Sequence, residues 1–175
     1  MRISQSMPRM QIISVSKLQE GMNLCARNIK SYLQDVQLLL DPNNPRDFSE
    51  WHAVMLAIFA FEELAKYNEL NKAKEKAAIN KVDKVEMDDR LFWSHKYKQE
   101  LARKLIDKES IRLIDKASLL PDFRGETVEI SHRLRLDCAF VDWRDGQWIH
   151  GTPLIPNNLR EFKESIAQAL LSLER

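Results

Sequence analysis

Glycine is scarce in this chain. Four glycines and six prolines occur in 175 residues, and neither is found between Pro45 and Pro121. So long a stretch without chain breakers predicts helix. With so little glycine there is no GxGxxG and no GxxxxGK[ST] pattern, which leaves dinucleotide-fold and P-loop readings without support. Cysteine is nearly absent as well. Cys25 and Cys138 are too few for a Cys-rich zinc site or a disulfide scaffold, and they read as buried free thiols in a reducing cytoplasm. An excess of one charge is missing too: 27 Lys and Arg face 26 Asp and Glu, a net charge of +1, so the overall balance does not call for nucleic acid. The longest apolar run, Ala53 to Phe61, falls short of the roughly 20 residues a bilayer requires, and the N-terminus lacks the apolar core of a signal peptide. No membrane association is expected. What remains is one soluble globular domain, 44% hydrophobic and 30% charged.

Periodicity organises that domain. Residues 1–15 show no clear period and read as a loosely held arm, leaving 16–175 as a single domain. Ser16 with Gln19 resembles a capping box, and Met22, Cys25, Ile29, Tyr32, Val36 and Leu39 then step by three and four, which predicts an amphipathic helix of about six turns. Asp41-Pro42-Asn43-Asn44-Pro45 must stop it. The next helix begins near Asp47 and Glu50 and is apolar on nearly all faces through Phe61, which marks it as central and buried. Its polar continuation, with Glu62, Glu63 and Lys66, is expected to emerge towards solvent, and Ala73 to Glu86 reads as a frayed helix end or a linker. Asp88 and Asp89 are plausible caps for a third helix with Phe92, Tyr97, Leu101 and Leu105 on one side, continuing or breaking near Ser110 into Ile111 to Leu119. A small hairpin is expected at about 134–150, with one strand in Leu134 to Val141, a turn at Asp145-Gly146 and a return at Gln147-Trp148-Ile149. A last amphipathic helix starts near Asn158 and carries Leu159, Phe162, Ile166, Leu170 and Leu173. The expected fold is therefore mainly α, a bundle of four to six helices with one small β-hairpin near the C-terminal end.

Few residues carry obvious chemistry. A di-iron bundle needs two Glu-x-x-His pairs, and only Glu129 with His132 exists, so neither a metal nor a cofactor is expected. Glu62, Glu63 and Lys66 stand where the central helix leaves the core; their ordinary reading is a solvated face with an i,i+4 ion pair, and the alternative is a polar pocket. Arg90 and His95 place a guanidinium and an imidazole near a helix start, a chemistry suited to a phosphodiester: Arg grips the phosphate, and His moves a proton at the 2′- or 5′-oxygen. Spacing alone does not single them out, because Arg46 to His52 and Arg144 to His150 share the pattern. In a regular helix the five-residue step rotates the two side chains apart by about 140°. Lys104, Lys108, Arg112 and Lys116 form a ridge if that helix runs unbroken, most simply a salt-bridged face. Trp143 and Trp148 bracket the hairpin turn and read as packing residues.

The central helix also carries a resemblance. Leu56-Ala57-Ile58-Phe59-Ala60-Phe61-Glu62-Glu63-Leu64-Ala65-Lys66 resembles the apolar run ending in Glu-Glu-x-x-Lys of the AbiV family of bacterial abortive-infection proteins. Asn28 to Leu40 resembles that family's first helix, Phe92-Trp93-Ser94-His95-Lys96-Tyr97-Lys98 its aromatic and His-x-x-Lys segment, and Phe140-Val141-Asp142 with Gly146, Trp148 and Pro153 its hairpin motifs. Ala65 and Phe140 depart from the expected Gly and Tyr without removing a titratable group. The family is grouped with the HEPN superfamily, whose Arg-x4-6-His motif forms a metal-independent RNase site, often across a dimer. By that resemblance Arg90 and His95 become the catalytic candidates, Glu63 and Lys66 polar supports, and Lys98 a phosphate contact. It implies an RNA partner, a homodimer and a phage or antitoxin protein partner. A non-catalytic interaction module, with Glu62, Glu63, Lys66 and His95 as a structural polar network, is the competing expectation.

Overall fold

A computed structural model of the chain describes residues 9–41, 43, 49–109, 119–121, 127–129, 142–144, 147–149 and 156–174. Strand β1 (Met10–Ser14) leads into helix α1 (Val15–Leu39), followed by α2 (Ser49–Asn80), β2 (Lys84–Asp88), the short α3 (Arg90–Trp93), α4 (His95–Glu109), β3 (Leu119–Pro121), β4 (Thr127–Glu129), β5 (Asp142–Arg144), β6 (Gln147–Ile149) and α5 (Pro156–Leu173). The fold is mainly α, as expected, with five helices among the described residues. None is long and apolar enough to cross a membrane.

Helix α2 is the hub, touching α1, α4 and α5. Gln19 accepts from Lys74 at 2.6 Å, the position of Gly21 faces Leu70, and the rings of Tyr32 and Phe59 lie 5.9 Å apart. As numbers rise along α1 they fall along α2, so the two are antiparallel. Helix α5 runs back against α1, with Lys30 bonded to Glu174 at 2.8 Å and Lys163 to Gln37, and it meets α2 through the edge-on pair Phe61 and Phe162, 5.3 Å between centroids. Burial follows the sequence pattern closely: Leu18, Met22, Cys25, Ile29 and Val36 of α1 and Leu159, Phe162, Ile166 and Leu170 of α5 enclose Val54, Ala57, Ile58, Phe61 and Leu64 of α2. Gly21 matters at the α1–α2 contact, where a Cβ would stand 3.1 Å from a methyl of Leu70.

Several expectations are corrected. The arm predicted over residues 1–15 is not loose at residues 10–14, which pair antiparallel with residues 84–88, Met10 opposite Asp88 and Ser14 opposite Lys84. Backbone bonds from Val15 to Asp83 and from Asp89 to Arg9 extend the ladder at both ends. Short-range periodicity misses this pairing because Ile13, Val85 and Met87 turn inward only once the two distant segments meet. The stretch read as a frayed end or linker is the last part of α2, a turn and β2. Helix α2 ends in a Schellman arrangement, Val82 N–H to Ala77 and Lys81 N–H to Ala78, with Lys81 at φ 53° where glycine is usual. Cap Ser14 replaces the expected Ser16 at the start of α1. Strand β6 matches the expected return strand, but its partner is 142–144, with Trp143 opposite Trp148; Leu134 to Val141 lies outside the described residues, as do residues 110–118 with Arg112 and Lys116, while Leu119, expected in a helix, opens β3. A further hairpin, β3 with β4, was not anticipated.

Candidate functional site

The site is assembled where the head of α4 meets the middle of α2. The chain reaches that point through α3, a single turn whose start is capped by Asp88: its Oδ1 accepts from the Arg90 backbone N–H at 3.0 Å. Asp89 does not share the capping role expected of it, and its buried Oδ1 has no hydrogen-bond partner. Leu91 is buried and pins the turn to the core. At Ser94 the backbone leaves helical geometry (φ −88°, ψ 105°), and the Ser94 hydroxyl then accepts from Tyr97 N–H at 3.3 Å, the N-cap bond that starts α4. The predicted single helix is therefore two, and the 140° objection to the Arg90–His95 pair lapses because no regular helix joins them. The break also turns Phe92 outward, against the expectation that it shares the apolar side of Tyr97 and Leu101.

In α4 the positions His95, Lys98 and Gln99 are spaced i, i+3, i+4, so one helix face presents three side chains to α2. All three reach Glu62. Its Oε2 lies 2.6 Å from His95 Nδ1 and 3.5 Å from Lys98 Nζ, and its Oε1 accepts from Gln99 Nε2 at 2.8 Å. The Glu62 side chain is 3% exposed and that of His95 is 36% exposed, so a buried carboxylate holds a ring that solvent can reach. A carboxylate only accepts, so His95 Nδ1 donates in this bond. Fixing the tautomer and the ring plane in this way is what a general acid–base histidine requires.

Arg90 is held differently. Asp88 takes its Nε at 3.0 Å and its Nη2 at 2.6 Å, and the guanidinium carbon sits 4.4 Å from the centre of the Tyr97 ring. Hydrogen bonding from Arg90 holds the Asp88 carboxyl below its usual range, and burial followed by the Asp88 charge raises the Tyr97 phenol. A third group lies farther along α2. Lys66 pairs with Glu63 rather than with Glu62, at the i,i+3 spacing. Glu63 also bonds the thiol of Cys25, which is pushed up to about 12 by burial first and by Glu63 next. Cys25 is thus a buried free thiol, as read from the sequence.

Of the six residues singled out, Glu62, His95 and Lys98 form one cluster, Glu63 and Lys66 a second, and Arg90 a third beside Asp88. The expectation that Glu62, Glu63 and Lys66 lie on a solvated face is wrong for all three, whose side chains are 3%, 14% and 20% exposed, and most of all for Glu62: the head of α4 covers it, a tertiary contact that no local pattern encodes. Gln99, Asp88 and Tyr97 were missed. The i,i+4 step from His95 to Gln99 was the available signal for the first; for the other two it was proximity to Arg90. Among the described residues no group of three or more His, Cys, Asp or Glu side chains can hold a metal ion.

Fold and site together define a class: a helical bundle whose central helix carries a buried carboxylate clamped onto an imidazole at the head of a later core helix. The sequence match is more particular. Residues 17–172 match the HEPN_AbiV family, described as AbiV, and the chain belongs to that family, a HEPN-type branch of the abortive-infection proteins. No curated protein and no solved structure matches it.

Proposed function

We propose that the chain is an antiphage abortive-infection effector that cuts RNA without a metal ion, with His95 moving the proton and Arg90 contacting the phosphate. The observation that carries this reading is the 2.6 Å bond between His95 Nδ1 and the buried Glu62 carboxylate. His95 takes the proton of a ribose 2′-hydroxyl, the 2′-oxygen bonds to phosphorus as the bond to the 5′-oxygen breaks, and the imidazolium returns the proton to the departing 5′-oxygen, leaving a 2′,3′-cyclic phosphate and a 5′-hydroxyl. No water is consumed. Asp88 holds Arg90 through Nε and Nη2 and the Tyr97 ring lies against the guanidinium, which meets the phosphate with its remaining N–H donors. A second copy of the chain completes the cleft, and a phage or antitoxin protein controls it.

A second reading has its own support. Glu62 joins α2 to α4 through three donors, which is what a structural network at an interaction module would also do. Incubating wild-type and His95→Ala protein with a cellular RNA pool and mapping the new ends separates the two. The nuclease reading expects cyclic-phosphate ends that persist in a chelator and vanish with His95→Ala, while circular dichroism is unchanged. Intact RNA with the wild type, or identical cutting by both proteins, overturns it.

A further inference from the structure

Among the described residues nine large apolar side chains are exposed: Met10, Ile12, Leu24, Leu38, Ile79, Val82, Phe92, Trp93 and Leu171. Only two of the nine are aromatic, and these two are consecutive. Trp93 is 61% exposed and Phe92 37%, on the turn that ends one residue before Ser94 and two before His95. Trp93 and His95 Cα atoms are therefore no more than about 7.6 Å apart. The turn is firmly held, since Leu91 is buried beneath it, Asp88 caps it, and Asp89 N–H bonds back to Arg9 at 2.9 Å. The indole thus stands exposed on a held turn, two residues from the imidazole in the chain.

Of the basic residues between Arg90 and Lys104, Arg90 is paired with Asp88 and Lys98 is buried against Glu62, while Lys96 and Lys104 face solvent along with one acid, Glu100. An apolar partner would gain from the aromatic pair and lose against these charges. A nucleobase joined to phosphate suits both, presenting a flat π-face to the indole and an anion to the lysines.

We infer that Trp93 is the surface on which a nucleobase stacks next to the scissile phosphate, so that the site engages a nucleotide only where the strand is unpaired. The inference rests on the ribonuclease reading of His95 and adds a substrate-contacting residue to it. Stacking needs an exposed base face, and a base pair within a duplex does not offer one. Lys96 supplies the accompanying phosphate contact.

The test uses full-length His95→Ala protein, which holds RNA uncut, and a fluorescein-labelled single-stranded oligoribonucleotide of mixed sequence, alone and annealed to its complement. Supporting results are indole quenching on addition of the single strand, binding weakened at least tenfold by Trp93→Ala and less than threefold by Trp93→Phe, weaker binding of the duplex, and a salt slope reduced by about one with Lys96→Gln. The same Trp93→Ala change in the otherwise wild-type enzyme raises KM and leaves kcat nearly unchanged. Binding unaltered by Trp93→Ala overturns the inference while leaving the nuclease reading standing. Quenching and weakened binding with no cutting by the wild type sink the nuclease reading and keep the stacking surface. A shift in sedimentation with Trp93→Ala, without any change in RNA binding, overturns the inference by making the patch a contact between copies of the chain.

Discussion

Replacing Glu62 by Gln keeps the shape of the side chain and removes its charge. Three donors converge on this carboxylate, from His95, Gln99 and Lys98, and the Lys98 side chain is only 5% exposed. An amide retains one acceptor oxygen and turns an NH2 towards the donors at the other position, so one close contact becomes donor against donor. Lys98 meanwhile loses the counter-charge given by Glu62. Stripping one partner from a buried ion pair costs about 3–5 kcal/mol, and an unsatisfied buried donor about 1–3 kcal/mol. The two penalties overlap here, and the Lys98 contact is long for an ion pair, so the expected loss is about 3 kcal/mol. In a chain of this length that lowers the melting temperature by roughly 6–12 °C. Glu63→Gln is the internal comparison: its i,i+3 pair with Lys66 keeps more exposure and its other partner is the Cys25 thiol, so a smaller loss of about 1–2 kcal/mol is expected. Urea unfolding of both variants gives the comparison, with equal m-values showing that the denatured state is unchanged. Adding Lys98→Met to Glu62→Gln should recover part of the loss, because the stranded ammonium is then gone. Equal stability of Glu62→Gln and Glu63→Gln, or a double variant weaker than the single by the full cost of Lys98→Met alone, would refute the reasoning.

The remaining expectations test other parts of the fold. Phe162→Ala should cost about 3–5 kcal/mol in urea unfolding, because it empties the position that packs edge-on against Phe61 and ties α5 to α2. Lys81→Gly should stabilise by up to about 1 kcal/mol, since the residue at φ 53° closes the α2 cap and the strain of a left-handed side chain exceeds the entropy that glycine restores to the unfolded chain; a lower melting temperature would count against that cap. Asp88→Asn should destabilise at neutral pH. The folded-state carboxyl lies below its ordinary 3.8, so its contribution is full above that value and is lost as the pH falls through the lowered one; a difference between the proteins that grows with acidification contradicts the Arg90 bond. With its thiol pushed up to about 12, Cys25 should resist iodoacetamide at pH 8 in the folded protein and react after unfolding, as followed by mass spectrometry of its peptide.

The helical core was readable from spacing because each apolar stripe, such as Met22, Cys25, Ile29 and Val36, reports burial along its own helix. Pairings between distant segments leave no such trace. Residues 10–14 have short, ambiguous alternation and become a strand only opposite 84–88, and Glu62 looks like a surface acid until α4 covers it. Ser94 was legible in principle, since a serine three residues before Tyr97 is an ordinary N-cap, but the aromatic residues on either side of it resemble one continuous apolar face. Family resemblance brought Arg90 and His95 forward; Asp88 and Tyr97, which hold Arg90, and Gln99, which steadies the Glu62 carboxylate on His95, follow from geometry.

The pairing of residues 10–14 with 84–88 also sets an order of assembly during synthesis. At about 5–20 residues per second, the ribosome completes the second strand roughly 4–15 s after the first. Through that interval the beginning of the chain has no partner for its ladder, and the turn bearing Arg90 has not been made. His95, Lys98 and Gln99 follow within a few residues of Asp88, so the carboxylate clamp and the sheet arrive almost together. A nascent chain that ends before Gln99 is without the full clamp, and the bond from Asp89 to Arg9 cannot close until β2 has been made.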